Sequence, residues 1–313
     1  MTRRDSQPPR IRKIDLPDAS QHNVTFYESS FFKQHDGFSS QQAELPTPQE
    51  VLARSRDGIG GVVKFEFLGL AVKSGPSDVL NFEEAQAMMA IRRAYSHGEV
   101  PVPEVFGWKT HETRRFIYMS LIEGKTLREA WDDLSTADKK EICAQLSKVV
   151  SLLRSIEQDP AERQYIGSVS GGVVQDRFFR VDYEKGPFYD IKSFNDWLLV
   201  AATRQTPGPN GEIDTNEFYR SLLPDIGEIY FTHGDISLGN VIISNASGTW
   251  QIVGLIDWEQ AGWYPDFWEY YKMCSGVEYN HEWREAEWID AVLSPINNDT
   301  MDAIAAYFSW RQP

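Results

Sequence analysis

The sequence predicts an α+β fold in which a small strand-rich region precedes a larger, mainly helical one. Three observations carry that reading. Residues 61–73 are rich in β-branched and aromatic side chains and break at Leu68-Gly69, the pattern of two paired strands. Residues 81–94 and 139–156 instead repeat their apolar side chains at helical spacing. After Ser120 the helical pattern dominates, so strands and helices are segregated along the chain rather than alternating.

Residues 1–22 are polar and contain proline, and read as a mobile tail. Its Arg3, Arg4, Arg10, Arg12 and Lys13 read as solvated charge and not as a targeting signal, because no apolar face accompanies them. At Leu45-Pro46-Thr47-Pro48-Gln49-Glu50 a short helix is expected, capped by Thr47, with Pro48 at its first position and Glu50 completing a capping box. The two strands of 61–73 follow, the second closed by Lys73. Asn81 is the expected cap of the next helix, with Glu83 and Glu84 in its first turn. Pro101-Val102-Pro103 leads to another strand, and Arg115 to Met119 is a further one. Ser120 to Gly124 is a short link before helices at 127–131 and 139–156, the second striped by Ile142, Leu146, Val149, Val150 and Leu153. Cys143 lies on that stripe and reads as core. A helix is expected near 193–204, while 160–224 carries no signal of chemistry. The expected division is thus a tail at 1–22, a first lobe at 23–119 and a second at 120–313.

With 313 residues, of which 41% are hydrophobic and 25% charged, the chain has the balance of a folded globular protein. No apolar run reaches the roughly 18 residues of a membrane helix, and no signal core opens the sequence. Two cysteines cannot make a disulfide framework, so a reduced, cytoplasmic protein is expected. A net charge of −15 argues against nonspecific binding to nucleic acid or an anionic membrane. From Asp257 onward eleven acids face only Lys272, Arg284 and Arg311. That excess either draws in a cationic ligand or is a soluble face.

The segment richest in chemistry is Phe231-Thr232-His233-Gly234-Asp235-Ile236-Ser237-Leu238-Gly239-Asn240. Apolar strands at 241–244 and 250–256 follow, joined by a polar turn, and the second ends at Asp257-Trp258-Glu259. If the strands pair around residues 247–248, Asn240 comes within a residue or two of facing Asp257. Facing Cα atoms lie about 4.5–5.5 Å apart. Two oxygen ligands so placed can share one Mg2+, which takes oxygen at about 2.0–2.1 Å. Asp235, in the loop leading into the hairpin, is placed to accept a hydroxyl proton.

The string H-G-D-x-x-x-x-N followed by I-D-W-E resembles the phosphotransfer core of the aminoglycoside phosphotransferase and choline kinase superfamily, which has the protein-kinase fold. Pro101-Val102-Pro103-Glu104-Val105, Ile122-Glu123-Gly124-Lys125-Thr126-Leu127 and the run from Ala261 to Tyr270 are similar to its fungal-type branch. The resemblance spans nearly the whole chain from about Phe26 and implies a two-lobe kinase-like fold, with a small antiparallel-sheet N-lobe and a mainly helical C-lobe. It implies ATP and Mg2+, and transfer of the γ-phosphate to a hydroxyl of a small molecule. By position, Asp235 matches the catalytic-loop aspartate that takes the acceptor proton, and Asn240 and Asp257 match the magnesium ligands. Lys73 matches the lysine that binds the α- and β-phosphates, and Glu84 the helix glutamate that holds it. Met119, Ser120, Leu121 and Ile122 match the hinge whose backbone binds adenine. Each is a role that phosphoryl transfer requires, since the moving group builds negative charge and the acceptor must be held in line.

Several residues have competing readings. His233 reads as a packed structural histidine of the loop rather than a base. Glu83 competes with Glu84 as the partner of Lys73, and motif position favours Glu84. Gly124-Lys125-Thr126 imitates the end of a P-loop but lacks the earlier glycine. Trp263, Trp268, Trp283 and Trp288 read as packing, with a cation-binding wall as the alternative. There is no clear glycine-rich phosphate loop; Gly58-Ile59-Gly60-Gly61 before the first strand comes nearest. That gap keeps two alternatives in play, a weak or inactive kinase-like binding or regulatory protein and a kinase acting on a protein side chain. For a small-molecule acceptor, the acidic C-terminal region makes a cationic alcohol or amino-alcohol the first expectation.

Overall fold

The computed structural model describes residues 8–35, 43–55, 61–179 and 185–311. The first lobe is a five-stranded antiparallel sheet in the order Asn23–Thr25, Val105–His111, Arg114–Ser120, Leu70–Pro76, Gly61–Phe65. Strand alternation sorts the side chains of its centre. Leu70, Val72, Phe116 and Tyr118 pack on one face with Phe31, Phe32 and Val51. Ala71, Ile117 and Met119 lie on the other with Phe82, Ala85 and Met88 of the helix region. Lys73 has the parity of Ala71 and pairs with Ile117, so the register aims it at the helix Glu83–Ala94. The strand runs on to Pro76, so Lys73 is at its middle and not at its end. Asn81 caps the helix, its Oδ1 accepting from the N–H groups of Glu83 (2.9 Å) and Glu84 (3.3 Å). Thr47 and Glu50 form the expected capping box before Pro48–Arg54. Gly61 sits opposite Ser74, beside the Val62–Lys73 pair, while Gly58, Ile59 and Gly60 lie outside the described residues.

The second lobe packs around the helix Thr136–Arg154, whose buried side includes Ile142, Cys143, Leu146 and Leu153. Residues 121–124 lead from the sheet to the short strand Lys125–Thr126, which joins the hairpin Val241–Ser244 and Gln251–Leu255. Thr126, the end of the P-loop look-alike, caps the helix Leu127–Ala130 in a capping box with Glu129. The helix expected near 193–204 runs Ile191–Thr203, and its aromatic core adds Phe179, Phe194, Tyr264 and Trp268. Trp263, Trp268 and Trp283 are fully buried. Among the described residues no helix is long and apolar enough to cross a membrane.

The segment expected as a free tail is docked over its described part. Arg10–Ile11 pairs in parallel with Glu157–Gln158, and Ile11 is buried in the core. Arg10 and Lys13 meet Glu157 (3.0 Å) and Glu162 (2.6 Å). Further along, Pro17 O accepts from Gln86 Nε2 at 2.7 Å and Asp15 O from Arg93, so the segment ties the Glu84 helix to the second lobe. Arg10 and Lys13 read as solvated because their acidic partners lie about 150 positions away, beyond any local pattern, whereas Arg12 pairs locally with Asp15 at 2.7 Å.

Candidate active site

The loop from Thr232 to Asn240 connects the strand Ile229–Thr232 to the hairpin, and its shape rests on three buried groups. Gly234 has φ +77°, and a Cβ there would stand 2.9 Å from the Gln260 carbonyl, so the turn admits glycine. Glu269, fully buried, accepts the N–H groups of His233 (2.7 Å) and Gly234 (3.2 Å). Burial pushes its carboxyl up to about 7. The His233 ring lies edge-on to Trp258 with centroids 4.4 Å apart. Its Nδ1 accepts the Asp235 N–H (3.2 Å), which assigns the proton to Nε2, donating to the Ile256 carbonyl (3.1 Å). Burial lowers the His233 pKa to about 4, so the ring is a neutral brace.

That brace fixes Asp235. Asn240 Nδ2 donates to the Asp235 carbonyl (2.9 Å) and to its Oδ2 (3.0 Å). Burial raises the Asp235 pKa, and the nearby Arg177 and Lys272 oppose the shift. The hairpin register is Val241 opposite Leu255, and Ile256 N–H reaches Asn240 O at 2.9 Å, which leaves Asp257 one residue beyond the position facing Asn240. Asp257 holds φ +65°, a conformation uncommon for a residue with a side chain and frequent at functional sites.

Lys73 is the electrostatic centre. Its Nζ lies 2.8 and 3.0 Å from the Glu84 carboxylate, 2.6 Å from Asp257 Oδ1 and 3.1 Å from Glu259 Oε2. Burial works against its charge, but Glu84, then Asp257 and Glu259, outweigh it and hold the ammonium well above its ordinary pKa. Glu84 is the partner, as motif position favours. Glu83 turns to the second lobe, where it accepts from Ser168 Oγ (2.6 Å), Ser170 Oγ and Gln175 Nε2 (2.7 Å).

Two cavities meet at Asn240 and Asp257. One, of about 190 Å³, is apolar and runs between the lobes, walled by Val62, Ala71, Met119, Leu121, Ile122 and Ile242. In the wall formed by Met119 to Ile122, the Ser120 and Leu121 N–H groups are taken by the carbonyls of Glu104 and Gly69, both at 2.8 Å. Ile122 N–H has no such partner among the described residues. The other cavity, of about 790 Å³, is polar and holds Asp235 with Arg128, Arg177, Lys272, Tyr271 and Phe308. None of Trp263, Trp268, Trp283 and Trp288 lines it, and of the eleven C-terminal acids only Asp257 does. Most of the acidic excess lies outside this cavity. Glu259 pairs with Lys73 and Arg177, Glu282 with Lys139, and Asp290 accepts from Tyr270.

The donor set suits a hard divalent cation. Asn240 commits its Nδ2 to Asp235 and keeps Oδ1 without a hydrogen bond among the described residues. Asp257 commits Oδ1 to Lys73, and its Oδ2 has only Arg177 at 3.9 Å. Two oxygens from neighbouring positions remain, the ligand type Mg2+ takes. Glu84, Asp257 and Glu259 also cluster closely enough to hold a metal, but the Lys73 ammonium already contacts all three.

A family profile described as the phosphotransferase enzyme family matches residues 64–306, more than three quarters of the chain. The chain belongs to this phosphotransferase family. The GDP and kanamycin complex of the aminoglycoside phosphotransferase APH(2")-IIia shares its kinase-like fold, with TM-score 0.50 and 15% identity over 90% of this chain and 87% of that one. APH(3'')-Id from Streptomyces rimosus, in complex with ADP and streptomycin, is similar at 14% identity over 80% and 90%, TM-score 0.44. Macrolide 2'-phosphotransferase MphH from Brachybacterium faecium is similar at 13% over 81% and 83%, TM-score 0.44. No match was found among curated proteins.

In this member of the family the residues picked from the sequence come together: Asp235 bonds to Asn240, Lys73 to Glu84 and Asp257, and Met119 to Ile122 line the apolar cavity. Sequence reasoning missed Glu259, Arg177, Lys272, Glu269 and Arg128. Glu259 was within reach, two residues after Asp257 in the motif string. Arg177 comes from the segment 160–224, where no periodicity or motif marks it, and its guanidinium is held in the site by an ion pair with Glu259 (2.7 Å).

Proposed function

We propose that the protein is an ATP- and Mg2+-dependent phosphotransferase that moves the γ-phosphate to a hydroxyl of a small molecule. One observation supports this most. Asp235, bonded to Asn240 at 3.0 Å, and Lys73, bonded to Asp257 at 2.6 Å, stand where an apolar cleft between lobes opens into a polar cavity. Adenine fits the apolar cleft against the hinge at Met119, Ser120, Leu121 and Ile122. Lys73, held by Glu84, binds the α- and β-phosphates. Mg2+ on Asn240 and Asp257 would neutralise charge on the transferring group. The acceptor hydroxyl gives its proton to Asp235 as its oxygen bonds the γ-phosphorus; the bond from that phosphorus to the bridging oxygen breaks, and ADP leaves. His233 keeps Asp235 in place and stays neutral. We place the lobe boundary at Ser120, the chain in the fungal-type branch on the motifs at 101–105, 122–127 and 261–270, and its site of action in the cytoplasm.

Calorimetric titration with ATP, with and without Mg2+, in the wild type and in Asp257→Ala tests the nucleotide site. Magnesium-dependent binding lost in the variant is the expected result, and no binding to folded wild type would favour a non-catalytic module. Asp235→Asn should keep Mg–ATP binding and lose transfer by about 10²–10⁴. Equal turnover by mutant and wild type would remove Asp235 from its role.

A further inference from the structure

The polar cavity bears on what the acceptor is. Three cations line it, and two are already neutralised. Arg177 is paired with Glu259 (2.7 Å), and Lys272 with the buried Asp176 (2.9 Å). Arg128 is different. It begins its role from the first turn after the Thr126 cap, where its own N–H is fixed to the Leu238 carbonyl at 2.8 Å. Its guanidinium lies over Gly239 of the catalytic loop, 3.6 Å from where a Cβ would stand. It lines the cavity from an exposed position and, among the described residues, makes no ion pair or side-chain hydrogen bond. The acids of the cavity wall do not serve it either. Asp257 is held by Lys73, and Asp235 is held by Asn240 and must face the reacting hydroxyl. A guanidinium offers paired N–H donors in a fork that fits an oxyanion.

We propose that the acceptor carries an oxyanion, a carboxylate or phosphate, that Arg128 grips while the acceptor hydroxyl meets Asp235, with Tyr271 and Phe308 flanking an apolar body between them. This rests on the phosphotransfer reading and reverses the charge expected from composition. An anionic acceptor approaching a nucleotide triphosphate is repelled, and the free guanidinium offsets that repulsion at the acceptor's far end.

The test uses the full chain saturated with Mg–ADP and three probes of one shape: para-hydroxymethyl benzoate, its carboxamide and para-hydroxymethyl benzylamine. Calorimetry should show the benzoate binding about tenfold or more tighter than the amine, the ratio expected for one charge-assisted hydrogen bond. Arg128→Gln should erase that preference and Arg128→Lys restore part of it, with Mg–ATP affinity as in the wild type. In a mass-shift screen of acceptors with Mg–ATP, the phosphorylated products should carry an oxyanion besides the accepting hydroxyl. Amine binding equal to or tighter than benzoate, products that are only neutral or cationic, or weakened Mg–ATP binding in Arg128→Gln would each overturn the proposal and leave the phosphotransfer reading standing. Absence of Mg–ATP binding in the wild type would overturn both.

Discussion

Glu269 makes the sharpest claim about how the loop carrying Asp235 is held, because it touches only backbone there. Its carboxylate accepts from the N–H groups of His233 and Gly234, at 2.7 and 3.2 Å, in a place with no water access. Glu269→Ala orphans both donors. At about 1–3 kcal/mol for each of the two buried unpaired groups, the loss is about 2–6 kcal/mol, a large part of a typical domain's stability of about 5–15 kcal/mol. Glu269→Gln keeps one acceptor oxygen and sets an amide against the other N–H, so its loss should be about 1–3 kcal/mol. Urea unfolding followed by circular dichroism reads both values, and the order wild type, Gln, Ala is the expected result. Because the same N–H groups set the loop that carries Asp235, transfer should fall in that order too under conditions where each variant is folded. An alanine variant within about 0.5 kcal/mol of wild type, or equal losses for the two variants, would refute the bridging role assigned to Glu269.

Three further outcomes follow from the same site. His233 has a folded pKa of about 4 against an ordinary 6.5, so the unfolded chain binds the extra proton first and its contribution is lost as pH falls from about 6.5 to 4. That amounts to about 3 kcal/mol, and His233→Gln should show a shallower fall over this window in urea melts. Lys73→Met strands Glu84, Asp257 and Glu259 without their shared cation; transfer should be lost, and stability should drop by about 3 kcal/mol near pH 8. The drop should shrink near pH 5 as Glu84 takes up a proton, so a pH-independent loss would argue against the ion cluster. Gly234→Ala forces a side chain into φ +77° and against the Gln260 carbonyl, so it should cost about 1–3 kcal/mol and displace Asp235, read as lower transfer with near-normal Mg–ATP binding.

The parts of the site that were legible are those in which chemistry and chain order coincide. Asp235, Asn240 and Asp257 lie on one loop and one hairpin, so strand register alone brings them together. Lys73 could be assigned a face because strand parity is local, although its place at mid-strand was not evident from a pattern that ends in a polar Lys-Ser-Gly run. What stayed hidden depends on long-range pairing. Arg177 meets Glu259 from 82 positions away, and Arg128 reaches Gly239 through a lobe contact that no spacing encodes. Composition carries no location either. The acids of the last sixty residues are abundant and most are exposed, but the cavity sees Asp257 alone among them.

The adjacent pair Glu83-Glu84 shows why half a site can be read and half cannot. Neighbouring residues on a helix point about 100° apart, so the two carboxylates serve different structures. Glu84 turns to Lys73 within its own lobe, eleven positions away, the pairing that motif position favours. Glu83 turns to Ser168 and Gln175, more than eighty positions on, while Gln86 and Arg93 of the same helix hold carbonyls of the N-terminal segment. The helix that positions Glu84 is therefore fixed from three directions, two of them outside its own sheet. Cutting the Glu83 tie with Glu83→Ala should then weaken the Lys73–Glu84 geometry without touching it. The expected readout is weaker Mg–ATP binding with Asp235 and its loop intact, and unchanged nucleotide affinity would mean that the sheet and the N-terminal segment suffice to hold the helix.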